Sequence, residues 1–277
     1  MEPLASRILF VRHDGLFEVG TIDQIDGQYV QTQSDTGFSA DWTHVVAVGP
    51  HILFVRDDGR FAVGHIDQIT GRYAETDGAA GGFSPNWTHV VAVGPHILLV
   101  HKNGLFEVGH IDESTSKYVK TDGPGPPISD NWTHVVAVGP HVLFVRNDGL
   151  FAVGHIGQKN AQYAETDDGT LVDPEGSTVF TNSTHVVAVG SHVLLGRNDA
   201  FWVIHIDEAD SRHKRTQKGP GFSPNWTHVV AVGPRILYVA SSGGLGAVGH
   251  INWIGQHVET QSGPTYSIDW THVVAVA

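Results

Sequence analysis

The chain has 277 residues and a formal net charge of −13, which argues against nucleic acid and anionic membrane surfaces as partners. Hydrophobic residues make up 40 % and charged residues 16 %, enough to bury a core, and no run of apolar residues is long enough to imply membrane insertion. There is no cysteine, so disulfides, thiolate metal sites and cysteine nucleophiles are excluded.

The N-terminus, Met1-Glu2-Pro3-Leu4-Ala5, has no basic stretch leading into an apolar core, so the expected location is cytoplasmic, or outside the cell by a route without a signal peptide. Arg7-Ile8-Leu9-Phe10-Val11-Arg12 follows as an apolar strand. The phrase Trp-Thr-His-Val-Val-Ala-Val then recurs at Trp42, Trp87, Trp132, Trp226 and Trp270, with a sixth copy at Ser183 where the tryptophan is lost. The interval is about 45 residues, a period typical of repeat folds. The longest interval precedes Ser183 and holds an insertion around Asp168 to Phe180.

Each unit divides alike. Thr43 to Val48 is β-branched and apolar and ends at Gly49-Pro50. His51 to Arg56 forms a second segment. Asp58-Gly59 follows, a dipeptide suited to the positive φ of a tight hairpin. Arg60 to Ile66 is the third segment, and a short fourth surrounds Tyr73 to Thr76. Four antiparallel strands per unit and no helical periodicity give an all-β chain. The chain opens inside a unit, at residues 6–35, and ends on the first strand of one at Trp270. Joined, the two partial units make one blade. A single domain spanning 1–277 is therefore expected: a six-bladed β-propeller whose units start near 42, 87, 132, 183, 226 and 270, the last completed by residues 6–35.

Asn86-Trp87-Thr88-His89, Ile97-Leu98-Leu99-Val100, Asn103-Gly104-Leu105-Phe106 and Gly109 together resemble the repeats of the tachylectin-2 and tectonin type of propeller lectin. The resemblance covers all six units and implies glycan or glycoconjugate partners, shallow sites between blades and no catalysis. Each indole would then stack on a sugar ring while the preceding residue takes hydroxyls. The expected pairs are Asp41 with Trp42, Asn86 with Trp87, Asn131 with Trp132, Asn225 with Trp226 and Asp269 with Trp270. Apolar neighbours lie four residues upstream, at Phe38, Phe83, Ile128, Phe222 and Tyr266. Such sites would be multivalent, and the unit with Ser183 would bind differently.

Fifteen of the nineteen histidines fall at three repeat positions. His44, His89, His134, His185, His228 and His272 follow the tryptophan and threonine. His51, His96, His141 and His192 open second strands, and His65, His110, His155, His205 and His250 close third strands. Imidazoles are common metal ligands, so the first set, ringed around the axis, offers an alternative: a metal-binding or small-molecule-converting enzyme. Within a blade, His44 and His51 lie about 13 Å apart and cannot share an ion, whereas His51 comes opposite His65. The plainer expectation is that each set bonds backbone or a neighbouring blade. No cofactor is implied. No nucleophile elbow, phosphate-binding loop or zinc-protease motif is present. A propeller enzyme would have to break the repeat symmetry. The breaks visible here are the insertion before Ser183, His13, His101, His213, His257, and the turn Ser241-Ser242-Gly243-Gly244.

Overall fold

The computed structural model describes residues 6–23, 28–67, 69–123, 128, 131–157, 162–170, 179–197, 200–207, 213–240, 246–262 and 269–276. They form six four-stranded antiparallel sheets, arranged as the blades of a propeller, with no helix among the described residues. Blade I joins 270–276 to 6–36. Blades II to VI are 44–81, 87–122, 134–170, 185–220 and 226–262. The expected closure is present: Ser6–Arg12 pairs with Trp270–Val276, with Arg7 opposite Val276 and Leu9 opposite Val274. The innermost strands of consecutive blades touch all the way round the axis.

The sheet order follows from what each strand can bury. In blade II, His44–Val48 lies innermost, then His51–Val55, Arg60–Ile66 and Tyr73–Gly81 outermost. Ile52 to Val55 is buried without alternation, because a blade interior has a neighbour on each face. The outer strand Tyr73–Gly81 is longer than the segment read around Tyr73 to Thr76. Its residues through Thr76 stay mostly exposed, so it carries little apolar pattern. The turn glycine at 59 has φ of +82°, and a Cβ there would meet the Phe83 carbonyl oxygen at 2.3 Å. Only glycine suits that hairpin.

The core consists of six clusters, one in each cleft between blades. Between blades II and III, for example, Leu53, Val55 and Val63 pack on Val90, Ile97 and Leu99. Apart from a second break in blade II at Phe61/Val63, each third strand breaks register with its outer strand just before the same position, as at Val63/Gly64 and Val153/Gly154. A threonine on the outer strand closes that bulge: the Thr76 and Thr166 hydroxyls each donate to the facing valine carbonyl at 3.0 Å.

Candidate functional site

One set of positions recurs at the outer part of each cleft. In blade IV it holds Trp132 before the inner strand, Arg146 after the second, Ala152 on the third, and Tyr163 and Glu165 on the fourth. Blade II repeats it as Trp42, Arg56, Ala62, Tyr73 and Glu75. The register opposes Ala152 to Phe144 and Asp168, and Gly154 to Glu165. The tyrosine ring lies flat over that glycine: a Cβ on Gly154 would meet the Tyr163 hydroxyl and ring carbons at 2.3 to 2.6 Å. Phe144 and Phe106 hold the ring edge-on at 5.7 and 5.3 Å. The aromatic floor is thus fixed by packing before anything binds.

Where the third-strand position is small and the other members are kept, this set opens into a cavity. Between blades III and IV the cavity measures about 480 Å³, lined by Trp132, Arg146, Ala152, Tyr163, Glu165 and Asp168 with Phe106 and Ile128 behind. Between blades I and II it measures about 170 Å³ around Trp42, Arg56, Ala62, Tyr73 and Glu75. The other blades replace or fill parts of the set. In blade III Glu107 stands where Ala152 does, and it accepts from the Tyr118 hydroxyl at 2.9 Å and pairs with Lys120. In blade V the position is Trp202, buried, with Arg197 stacked 4.7 Å above its ring. Blade VI keeps Ala247 but has Ala240 in place of the arginine, and Tyr238 lies 2.6 Å from His257.

The larger cavity carries a charge pattern that the repeat does not. Glu165 and Asp168 both line it, whereas Gly78 occupies the Asp168 position in blade II. Desolvation by burial, and then the Asp168 charge, raise the Glu165 pKa above its ordinary value. Arg146, just past the second strand of the same blade, lines the cavity with them and pairs with Asp148 at 2.6 Å. In blade II Arg56 pairs with Asp41 at 2.9 Å and donates to Ser39 at 3.3 Å. A cation opposite two like-charged carboxylates, one held partly back from ionisation, over an aromatic floor, is suited to polarising a carbonyl and moving a proton.

The residues expected from the sequence fall out as follows. Trp87 and Trp270 are 7 % exposed and packed between blades. Trp42, Trp132 and Trp226 are half-buried against Phe54, Phe144 and Tyr238. Asn86, Asn131 and Asp269 adopt φ of +68°, +65° and +71°. That gives asparagine or aspartate a backbone reason to precede the tryptophan. Asp41 holds Arg56, and Asn225 is exposed. Of the upstream apolar set, Phe38, Phe83, Ile128 and Phe222 lie in the cleft clusters, while Tyr266 falls outside the described residues. The turn 241–244 and residues 171–178 of the insertion also fall outside them. Arg146, Glu165, the small Ala152 and Asp168 escaped the reading. The first three have counterparts in Arg56, Glu75 and Ala62, so the signal that was available is the one departure from the repeat, Asp168 where blade II has Gly78.

The six histidines at His44, His89, His134, His185, His228 and His272 do ring the axis on the innermost strands. Each Nδ1 lies 3.1 or 3.2 Å from the hydroxyl of the preceding threonine. Each ring also bonds the backbone of the matching threonine in the next blade: His228 Nε2 donates to the Thr271 carbonyl at 3.3 Å, and His272 Nε2 to that of Thr43 at 3.2 Å. His44, His89, His134 and His185 reach Thr88, Thr133, Thr184 and Thr227. The circle is complete, and the imidazoles are spent on fastening blade to blade. Among the described residues no group of three or more histidines and carboxylates is arranged to hold a metal ion. At the other end of the inner strand pair, on the same face, His51 pairs with His65 and His141 with His155, as the hairpin geometry requires.

No family model and no curated protein matches this sequence. Solved structures do share the ring. A protein from Bacteroides fragilis, provisionally described as a 6-phosphogluconolactonase, superposes with a TM-score of 0.64 at 8 % identity, over 99 % of this chain and 98 % of that one. A Bacteroides uniformis protein of the same provisional description gives 0.63 at 11 % identity, over 99 % and 100 %. The periplasmic gluconolactonase of Pseudomonas aeruginosa gives 0.61 at 12 %, over 98 % and 99 %. At such identities the likeness establishes the fold: a six-bladed β-propeller. It also corrects the lectin expectation. These neighbours carry the names of lactone-hydrolysing enzymes rather than of tachylectins or tectonins, and the repeated indoles are engaged in packing between blades. The shared repeat pattern reflects what such a blade needs in order to fold.

Proposed function

We propose that this protein is a small-molecule hydrolase acting on a lactone, with its active site in the cleft between blades III and IV. One observation carries the reading: the only described blade that combines an open third-strand position, an arginine and a tyrosine floor with two neighbouring carboxylates is blade IV. The names of the structural neighbours support the same reaction class.

In this reading the substrate ring lies against Tyr163 and Trp132 with its carbonyl oxygen toward Arg146. Glu165 takes a proton from a water molecule, whose oxygen attacks the carbonyl carbon. The guanidinium stabilises the negative charge that develops on the carbonyl oxygen. The ring C–O bond then breaks, and the departing alkoxide recovers the proton from Glu165. The product is the open hydroxy acid. A raised carboxyl pKa suits this role, because a general base is most effective when its pKa approaches the working pH. The axial histidines take no part.

The test is hydrolysis of D-glucono-1,5-lactone by purified protein, followed by acid release above the spontaneous rate. Glu165→Gln is expected to lower kcat by about 100-fold, the low end for losing a general base. Arg146→Ala should lower it comparably, while Glu75→Gln in blade II should act far more weakly. Wild-type protein that adds nothing to the spontaneous rate across a panel of lactones would defeat the proposal.

A further inference from the structure

The cleft that holds Glu165 is charged in an uneven way. Its lining includes one cation, Arg146, and two carboxylates, Glu165 and Asp168, and Arg146 is already paired with Asp148 at 2.6 Å. A second recess of about 460 Å³ adjoins the same tryptophan and arginine, and its remaining lining is Asn131, Thr133, Asn147 and Asp148. Among the described residues, neither cavity is lined by a lysine, a histidine or a further arginine. Recognition of a phosphate group normally draws on several such donors. A phosphomonoester carries a charge of about −1.5 to −2 at neutral pH. It would meet carboxylates on the outer strand and a single arginine, shared with Asp148, in place of the several donors it needs. The chain as a whole, at −13, adds to the repulsion.

Resting on the lactone-hydrolase reading, we infer that the substrate is an uncharged, unphosphorylated lactone and that Asp168 sets this selectivity. A neutral ring enters without electrostatic cost, because its hydroxyls can donate to Glu165 and Asp168. The acid it becomes carries a negative charge next to the same two carboxylates and is expelled. Asp168 thus acts on both ends of the cycle, rejecting anionic substrates and hastening anionic product release. Blade II, with Gly78 in that position, lacks the device.

The experiment compares kcat/KM for D-glucono-1,5-lactone and its 6-phosphate with wild-type protein and with Asp168→Asn, at low and high salt. Wild type should prefer the unphosphorylated lactone by at least about 10-fold, and the preference should shrink as salt screens the cleft. Asp168→Asn should narrow the preference several-fold, flatten its salt dependence, and let gluconate inhibit more strongly. Equal or faster hydrolysis of the phosphorylated lactone by wild type would overturn the inference and leave the hydrolase reading standing. So would an Asp168→Asn variant whose preference, salt dependence and product inhibition match wild type. Hydrolysis of neither lactone would instead remove the hydrolase reading, and this inference with it.

Discussion

Glu165 lies opposite Gly154 on the neighbouring strand, with Asp168 three residues along its own strand and Arg146, just past the second strand of the same blade, lining the same cavity. Burial and the Asp168 charge both favour its protonated form. A base must be ionised to act, so activity should fall on the acid side of a midpoint above the ordinary glutamate value. Removing the Asp168 charge takes away one of the two causes. The acid limb of kcat/KM should therefore move to lower pH in Asp168→Asn, and pH–rate profiles of the two proteins will show it. A limb that stays in place would mean that Glu165 is not the titrating base. The floor beneath the site makes a separate demand. Gly154→Ala drives a methyl group into the Tyr163 ring, an overpacking that costs about 1–3 kcal/mol. The corresponding Gly64→Ala in blade II should destabilise similarly by thermal melting but leave turnover intact, whereas Gly154→Ala should lose both.

The strands inherit their roles from neighbours on two sides. Arg60–Ile66 was legible to the residue, because the Asp-Gly hairpin fixes its start and Phe61, Val63 and Ile66 carry its apolar pattern. His44–Val48 and His51–Val55 came within one residue for the same reason. The outer strand was legible only at its start. Tyr73, Glu75 and Thr76 owe their identity to a ring over Gly64, a cleft wall and a bulge carbonyl, and none of these leaves a period-two pattern. The site was hidden by the same logic. Repetition drew attention to Trp42 and its copies, which pack the clefts, while what sets blade IV apart is one extra carboxylate, Asp168, beside a small residue, Ala152, that has counterparts in Ala62 and Ala247. Closure of the ring was the clearest element-level reading. Ile8, Leu9 and Phe10 are fully buried in the strand that pairs with Trp270–Val276. Phe10→Ala should cost about 3–5 kcal/mol, as for a large buried aromatic. Deleting 270–277 should be worse: it strips blade I of its inner strand and uncovers both adjoining clusters. Loss of a cooperative melting transition in circular dichroism is expected; an undiminished transition would show that blade I closes without that strand.

At the scale of the whole ring, the histidine circle ties stability to pH. A neutral imidazole that donates from Nε2 to the next blade has a bare Nδ1. The Thr43 hydroxyl then donates either to that nitrogen or to the Val55 carbonyl at 3.1 Å, and cannot serve both. The imidazolium satisfies every partner, so hydrogen bonding alone would welcome the proton. Burial decides otherwise. Desolvation is the largest influence on all six rings and lowers their pKa values, His89 to about 4, outweighing the bond to the next blade. Below the unfolded histidine value near 6.5, the unfolded chain binds protons that the folded ring refuses. Stability is therefore complete above about pH 6.5 and drains away as pH falls toward the folded values. His51, His96, His192 and His257 are lowered as well and add to the loss. Glu18 and Glu165, raised by burial, pull the other way but are only two. Carboxylates held low by hydrogen bonds, such as Asp112 at about 2, give up their contribution only below the ordinary range near 4, outside this window. The thermal midpoint should accordingly drop by several degrees between pH 7.5 and pH 5. His89→Asn combined with His228→Asn should start lower at pH 7.5 yet lose less on acidification, because two of the refused protons are gone. A midpoint that does not move between pH 7.5 and pH 5 would show that the circle takes up its protons without strain.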